Sequence, residues 1–280
     1  MALTPQAGWR GSAGRTLRRW PSSSRRLRGR PLLKGFKGGL VAFIPAGYPS
    51  LEGFLQLVRG LREWGADALE LGVPTLNAKY DGPTVRAAYR RVLEGGVDVY
   101  DALARVEDRF ILLSYYELAL EAGLERFMEG ASKVGAFTVL FPDLLIDYLE
   151  ELGAYVELCR SYELRPSFFI TSCFPHRLIS SLTKYEPSFV YMGLMACTGV
   201  LLPISARRNI SVVRGLLDDV PLIVGFAISA PEQVAECIKA GADGVVVGSA
   251  LIRALDEGGL EGVKSLMRRL RGAIEVGRGA

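Results

Sequence analysis

Glu70 and Asp81 are the two positions at which this chain is equipped for acid–base work. Glu70 stands alone among apolar side chains in Asp67-Ala68-Leu69-Glu70-Leu71-Gly72-Val73-Pro74. Neighbouring side chains of a strand face opposite ways, so packing Leu69 and Leu71 outward under helices turns Glu70 into the interior. A carboxyl group there must be protonated or paired. Protonated, it is a general acid near neutral pH. Asp81, which heads Asp81-Gly82-Pro83-Thr84 in the following loop, has a polar setting and stays ionised. Together the two can divide acid and base roles. Plainer readings stand beside this one: Asp81 as a helix N-cap or turn residue, and Glu70 on an edge strand facing water.

A second group suits an anion. Gly225 ends a strand and leads into Phe226-Ala227-Ile228-Ser229, while Gly248-Ser249-Ala250 opens a short helix expected at 250–255. Small residues let backbone N–H groups approach a phosphate, and a helix N-terminus adds a favourable dipole. Tight strand-to-helix turns would use the same residues. Thr198-Gly199 is either a loop that completes the site or an ordinary turn. Tyr115 and Tyr191 fall at strand ends, where they either line a pocket or fill the core. Arg207 and Arg208 read as a solvated helix face.

The elements that must position these residues are eight apolar runs, at 40–44, 68–71, 110–114, 137–141, 167–170, 189–192, 222–225 and 244–247, each followed by a helical or loop segment. Continuous apolar strands imply a parallel sheet covered by helices. Eight such units in this length imply an α/β fold of the (β/α)8 type, a TIM barrel, which carries its active residues at the C-terminal strand ends. Leu51, Phe54, Leu55, Val58 and Leu61 share one helical face; Val85, Ala88, Tyr89 and Val92 share another behind Pro83. Ser229-Ala230-Pro231-Glu232 reads as a capping box opening a helix that ends at Gly241. Gly65-Ala66-Asp67 and Gly241-Ala242-Asp243 echo each other, each before a strand and a later glycine.

Charge divides the chain. Residues 1–40 hold ten of its 34 Lys and Arg and no acidic residue, which leaves 24 basic against 30 acidic side chains in the remainder. Residues 1–37 read as a flexible basic extension, and 38–280 as the catalytic barrel domain. A transit peptide or a nucleic-acid arm is the less economical reading of the extension. No run approaches the length of a membrane helix. Neither a nucleic-acid nor a membrane partner is expected. Cys159, Cys173, Cys197 and Cys237 form no close pair, which favours a cytoplasmic protein without a metal site. His176 is the only histidine, which argues against a His-based triad. Asn is confined to 77 and 209 and Gln to 6, 56 and 233, the composition of a heat-adapted source.

Several segments together resemble the α subunit of tryptophan synthase. They are the run from Gly65 to Pro74 with Asp81-Gly82-Pro83-Thr84 behind it, Phe43 with Gly47-Tyr48-Pro49, Gly123-Leu124-Glu125-Arg126-Phe127, and the stretches Gly225 to Val234 and Gly241 to Ala250. The likeness covers about 38–275. It implies a lyase that cleaves indole-3-glycerol phosphate to indole and glyceraldehyde 3-phosphate, needs no cofactor, and joins a pyridoxal-phosphate-dependent β subunit in an α2β2 heterotetramer. It further implies Glu70 as the acid–base residue and Asp81 opposite the indole nitrogen. Phosphate contacts would fall at Gly199, Ala227, Gly248 and Ser249, and pocket walls at Phe43 and Tyr115. The chain departs from the family at Thr75-Leu76-Asn77-Ala78-Lys79-Tyr80, at Ala227 in place of a glycine, and in a shorter segment after Tyr191. The alternatives are another phosphate-binding barrel enzyme acting on a sugar phosphate and a non-catalytic barrel subunit.

Overall fold

The computed structural model describes residues 37–194, 206–225 and 228–279. The basic extension therefore lies outside the described residues, apart from Lys37. The strands are β1 (Gly39–Pro45), β2 (Ala68–Gly72), β3 (Phe110–Leu113), β4 (Ala136–Leu140), β5 (Phe168–Thr171), β6 (Val190–Gly193), β7 (Leu222–Gly225) and β8 (Gly244–Val247). All eight expected runs are present, with bounds that differ by at most a residue at either end. The helices are α1 (Leu51–Glu63), α2 (Pro83–Glu94), α3 (Val99–Ala104), α4 (Tyr116–Ala122), α5 (Leu124–Lys133), α6 (Leu144–Asp147), α7 (Leu152–Ser161), α8 (His176–Ser181), α9 (Ala206–Arg214), α10 (Pro231–Lys239) and α11 (Ser249–Arg278).

The strands form one sheet in the order β4-β3-β2-β1-β8-β7-β6-β5, and the ladders are parallel. Side chains draw the two ends together. The Tyr155 hydroxyl donates to Val139 O at 2.6 Å and accepts from Ser167 N–H at 3.0 Å, while Thr138 Oγ1 bonds Ser167 Oγ at 2.8 Å. The result is a nearly closed (β/α)8 barrel.

Register decides which way Glu70 faces. Phe43 pairs with Glu70, and Glu70 with Ile111, so these three share the barrel interior. Leu69 and Leu71 are fully buried on the opposite face. The expected helix faces turn inward, with Leu51 and Leu55 only partly buried and Leu57 buried in addition. Phe54, Leu57, Val58 and Leu61 are buried on α1, and Val85, Ala88, Tyr89 and Val92 on α2. Pro83 occupies the first turn of α2, where its missing N–H costs nothing.

The echoed tripeptides do one job twice. Gly65 and Gly241 follow α1 and α10 with φ of +105° and +104°, a conformation that favours glycine. The aspartate that follows each accepts a backbone N–H from the first two residues of a strand: Asp67 Oδ2 from Leu40 at 2.8 Å, Asp243 Oδ2 from Leu222 at 2.9 Å. Each also pairs with an arginine, Asp67 with Arg271 and Asp243 with Arg214.

Two expectations shift. The cap of α10 sits one residue later than expected. Ala230 is the N-cap, and Gln233 Oε1, not the exposed Glu232, accepts from the N–H groups of Ser229 (2.8 Å) and Ala230 (3.0 Å). The short helix after β8 runs on into α11, which breaks at Gly259 (φ +58°, ψ −153°) and so leaves residues 249–258 as a separate arm.

Candidate active site

Five expected residues, Phe43, Glu70, Asp81, Gly248 and Ser249, line one cavity at the C-terminal end of the barrel. Its other walls are Val85, Leu113, Ile228, Val246 and Tyr191, the last a residue that the sequence left between pocket and core. Leu113 and Val246 are inward positions that strand alternation could have supplied. Ile228 and Val85 come from segments whose approach depends on how the barrel closes.

Glu70 is 1% exposed, and its Oε1 has no hydrogen-bond partner. Burial, and then the charge of Asp81, push its carboxyl up to about 8. It therefore holds its proton at neutral pH. Asp81 is half-buried in the loop after β2. Burial raises it to about 6, opposed by a hydrogen bond from Tyr115 and by the charge of Arg86. At neutral pH it is mainly ionised. Its carboxylate is not used as a helix cap, because Gly82 is the N-cap of α2 and makes no side-chain cap bond.

Tyr115 stands behind Asp81 rather than on the cavity wall. Its hydroxyl donates to Asp81 Oδ2 at 2.8 Å and accepts from Tyr80 N–H at 3.0 Å, and its ring stacks on that of Tyr80 at 6.3 Å between centroids. The hydroxyl thus has one donor and one acceptor partner, which fixes the direction in which Asp81 is approached.

The glycines have a steric reason that the sequence did not disclose. A Cβ on Gly225 would overlap the Tyr191 hydroxyl, and one on Gly248 would lie 2.7 Å from Phe43 Cδ1. Gly248 is the N-cap of α11 and Ser249 its first residue. The first N–H groups of a helix have no intrahelical acceptor, so this arm offers donors to an anion at the mouth. A polar cluster ties the arm to the β1 loop and α2. The Tyr48 hydroxyl donates to Asp256 at 2.5 Å, and Arg91 Nη1 donates to both, at 2.5 Å and 3.0 Å. Thr198, Gly199 and Ala227 lie outside the described residues. Gly225 ends β7 against the Tyr191 hydroxyl and does not itself line the cavity, and Arg207 and Arg208 are exposed on α9.

The unusual 75–80 loop is fastened to its neighbours. Asn77 Nδ2 donates to Glu117 Oε2 at 2.6 Å, Lys79 Nζ lies 2.8 Å from Asp147 Oδ2, and the Tyr80 hydroxyl donates to the same carboxylate at 2.8 Å. Among the described residues, no group of three or more His, Cys, Asp or Glu is placed to hold a metal, and no helix is long and apolar enough to cross a membrane.

Comparison with known proteins finds relatives along most of the chain. Residues 32–275 match the family model described as "Tryptophan synthase alpha chain". The tryptophan synthase alpha chain of Sulfurisphaera tokodaii is 33% identical over 240 residues, covering 84% of this chain and 97% of that one. That of Mycobacterium avium is 33% identical over 248 residues, covering 85% and 89%. Among solved structures, a Mycobacterium tuberculosis tryptophan synthase chain superposes with a TM-score of 0.77 at 26% identity, covering 90% of this chain and 99% of the other. A mutant alpha-subunit from Pyrococcus furiosus gives 0.75 at 25% identity, covering 85% and 98%.

Proposed function

The chain belongs to the tryptophan synthase alpha-chain family, and on that premise we propose that Glu70 and Asp81 carry the family's lyase reaction. That reaction is the alpha reaction of tryptophan biosynthesis, the cleavage of indole-3-glycerol phosphate to indole and glyceraldehyde 3-phosphate. The protein works with a β subunit in an α2β2 assembly.

The observation that carries the residue assignment is the unequal setting of two carboxyl groups in one cavity, Glu70 buried with no partner for Oε1 and Asp81 accepting a hydrogen bond from Tyr115. Protonated Glu70 gives its proton to indole C3, which turns the ring into an electron sink. Asp81 accepts a hydrogen bond from the ring N–H as positive charge develops there. Glu70, now a carboxylate, takes the proton of the 3′-hydroxyl. The C3–C3′ bond breaks, its electron pair restores the indole ring, and the aldehyde forms at C3′. Glu70 ends the cycle protonated. Phe43, Leu113 and Val246 provide apolar walls suited to the ring. Gly248 and Ser249 at the start of α11 suit the phosphate, with Gly225, Thr198, Gly199 and Ala227 as proposed companions.

Leu76, Leu120, Ile146 and Leu149 are exposed apolar side chains on segments that follow β2, β3 and β4. We assign this side of the barrel mouth to the β-subunit contact, with the fastened 75–80 loop within it. A cytoplasmic site of action is our reading, supported by the free thiols Cys159, Cys173 and Cys237. The test is indole release from indole-3-glycerol phosphate by the purified protein, with and without a β subunit. Turnover that Glu70→Gln abolishes supports the assignment. Turnover that survives this change refutes it.

A further inference from the structure

Next to the cavity wall, behind Phe43 and Gly72, lies a second orphaned polar group that the mechanism above does not use. Tyr89, on α2, is fully buried, and its hydroxyl has no hydrogen-bond partner. Its place is marked by a glycine: a Cβ on Gly72 would overlap the Tyr89 hydroxyl and lie 2.8 Å from Phe43 Cε2. Gly72 shares the inward face of β2 with Glu70, two residues earlier. The missing Cβ therefore admits the phenol tip over the strand end and into the mouth. Same-face positions two residues apart are separated by about 6.6 Å along a strand, a gap that a glutamate side chain turned up the barrel narrows to hydrogen-bonding reach. The two orphans are chemically complementary, an O–H donor and a carboxyl oxygen.

We propose that Tyr89 is a positioning residue for the lyase step, donating a hydrogen bond to Glu70 Oε1 whenever the carboxyl has given up its proton, and so holding it in the layer of the substrate ring. The inference rests on the lyase reading of this cavity. Burial and the charges of Asp81 and Glu70 keep the Tyr89 phenol protonated, so the donor is always present. The other groups around the pair are Asp81 from the loop after β2, Tyr191 from β6 and Tyr115 after β3, with Arg86 of α2 acting on Asp81. Tyr115 is already engaged with Asp81. A hydrogen bond to the ionised form favours that form, so removing it must raise the Glu70 titration midpoint.

The experiment compares wild type with Tyr89→Phe, which keeps the ring and deletes one oxygen. Glutamate carboxyls are labelled with δ-13C and titrated by NMR, with Glu70→Gln identifying the Glu70 signal. Indole release is measured in parallel against pH. The expected result is a Glu70 midpoint about one pH unit higher in Tyr89→Phe. The same variant should lose about tenfold in kcat with KM little changed, its alkaline limb moved upward with the midpoint. Thermal stability should hold or improve, since an unpaired buried hydroxyl has been removed. An unchanged midpoint overturns the proposal. If wild type releases no indole, the lyase reading falls, and the NMR comparison still decides whether the two side chains are bonded.

Discussion

Asp67 precedes one short strand and Glu70 lies at its middle, and the fold treats them oppositely. At the N-terminal end, Asp67 accepts a strand N–H and pairs with Arg271; its counterpart Asp243 does the same with Leu222 and Arg214. From mid-strand, facing the cavity at the C-terminal mouth, Glu70 is more deeply buried and has an oxygen with no partner. A satisfied carboxylate adds stability. An unsatisfied one costs stability and keeps reactive capacity. The barrel thus places its stabilising carboxylates at one mouth and its reactive ones at the other, the division typical of this fold.

Glu70→Gln tests the contrast most severely. Turnover should fall by about 10³-fold or more, since both proton transfers at carbon and oxygen pass through this group. Stability should move the other way. The folded state holds the Glu70 proton up to about 8, against an ordinary value of 4.5. An unfolded chain releases it from about 4.5 upward, so this group makes wild type lose stability as pH rises through that window. The stability of Glu70→Gln relative to wild type should therefore grow from pH 5 to pH 9, reaching a gain on the order of a few kcal/mol. Calorimetry across pH checks it; a constant difference would mean that Glu70 is not held protonated.

Asp81→Asn should cost about 10²-fold in kcat, because it removes an electrostatic partner and not the proton carrier. Tyr115→Phe sharpens this. The Tyr115 bond lowers the Asp81 carboxyl, so its loss should move the acidic limb of the pH–rate profile upward while leaving the alkaline limb in place.

The smallest effects on turnover belong to the other mouth. Asp243→Ala and Asp67→Ala should leave kcat within about twofold and cost about 1–3 kcal/mol of stability each. Asp243 should be the costlier, since its side chain is 13% exposed against 34% for Asp67. Denaturant melts and steady-state assays on the same preparations separate the two quantities. Equal losses of activity would erase the distinction between the mouths.

Much of this was legible along the chain. Alternation around Glu70 determined its inward direction, because a strand's period of two leaves no third choice once both leucines are buried. The spacing to Asp81 and the Gly-Ala-Asp echoes are local, and the structure gives them local jobs. The one-residue displacement of the α10 cap shows the limit of such reading. Glu232 and Gln233 both fit a capping pattern, and only the helix's seating against the barrel buries Gln233 and leaves Glu232 exposed.

What sequence alone determined was which side chains are available: an eightfold strand pattern, one carboxyl group forced inward, a second one turn of chain away, and small residues where an anion is to be held. What only the tertiary structure decided was company. Tyr115 behind Asp81, Tyr191 over Gly225, and Tyr89 over Gly72 are meetings of residues from different strands and helices. Each depends on how neighbouring strands and the helices over them are seated, which brings together groups 17 to 34 residues apart in the chain. The reactivity of Glu70 arises there, because its lack of a hydrogen-bond partner is a property of everything packed around it and of no segment by itself.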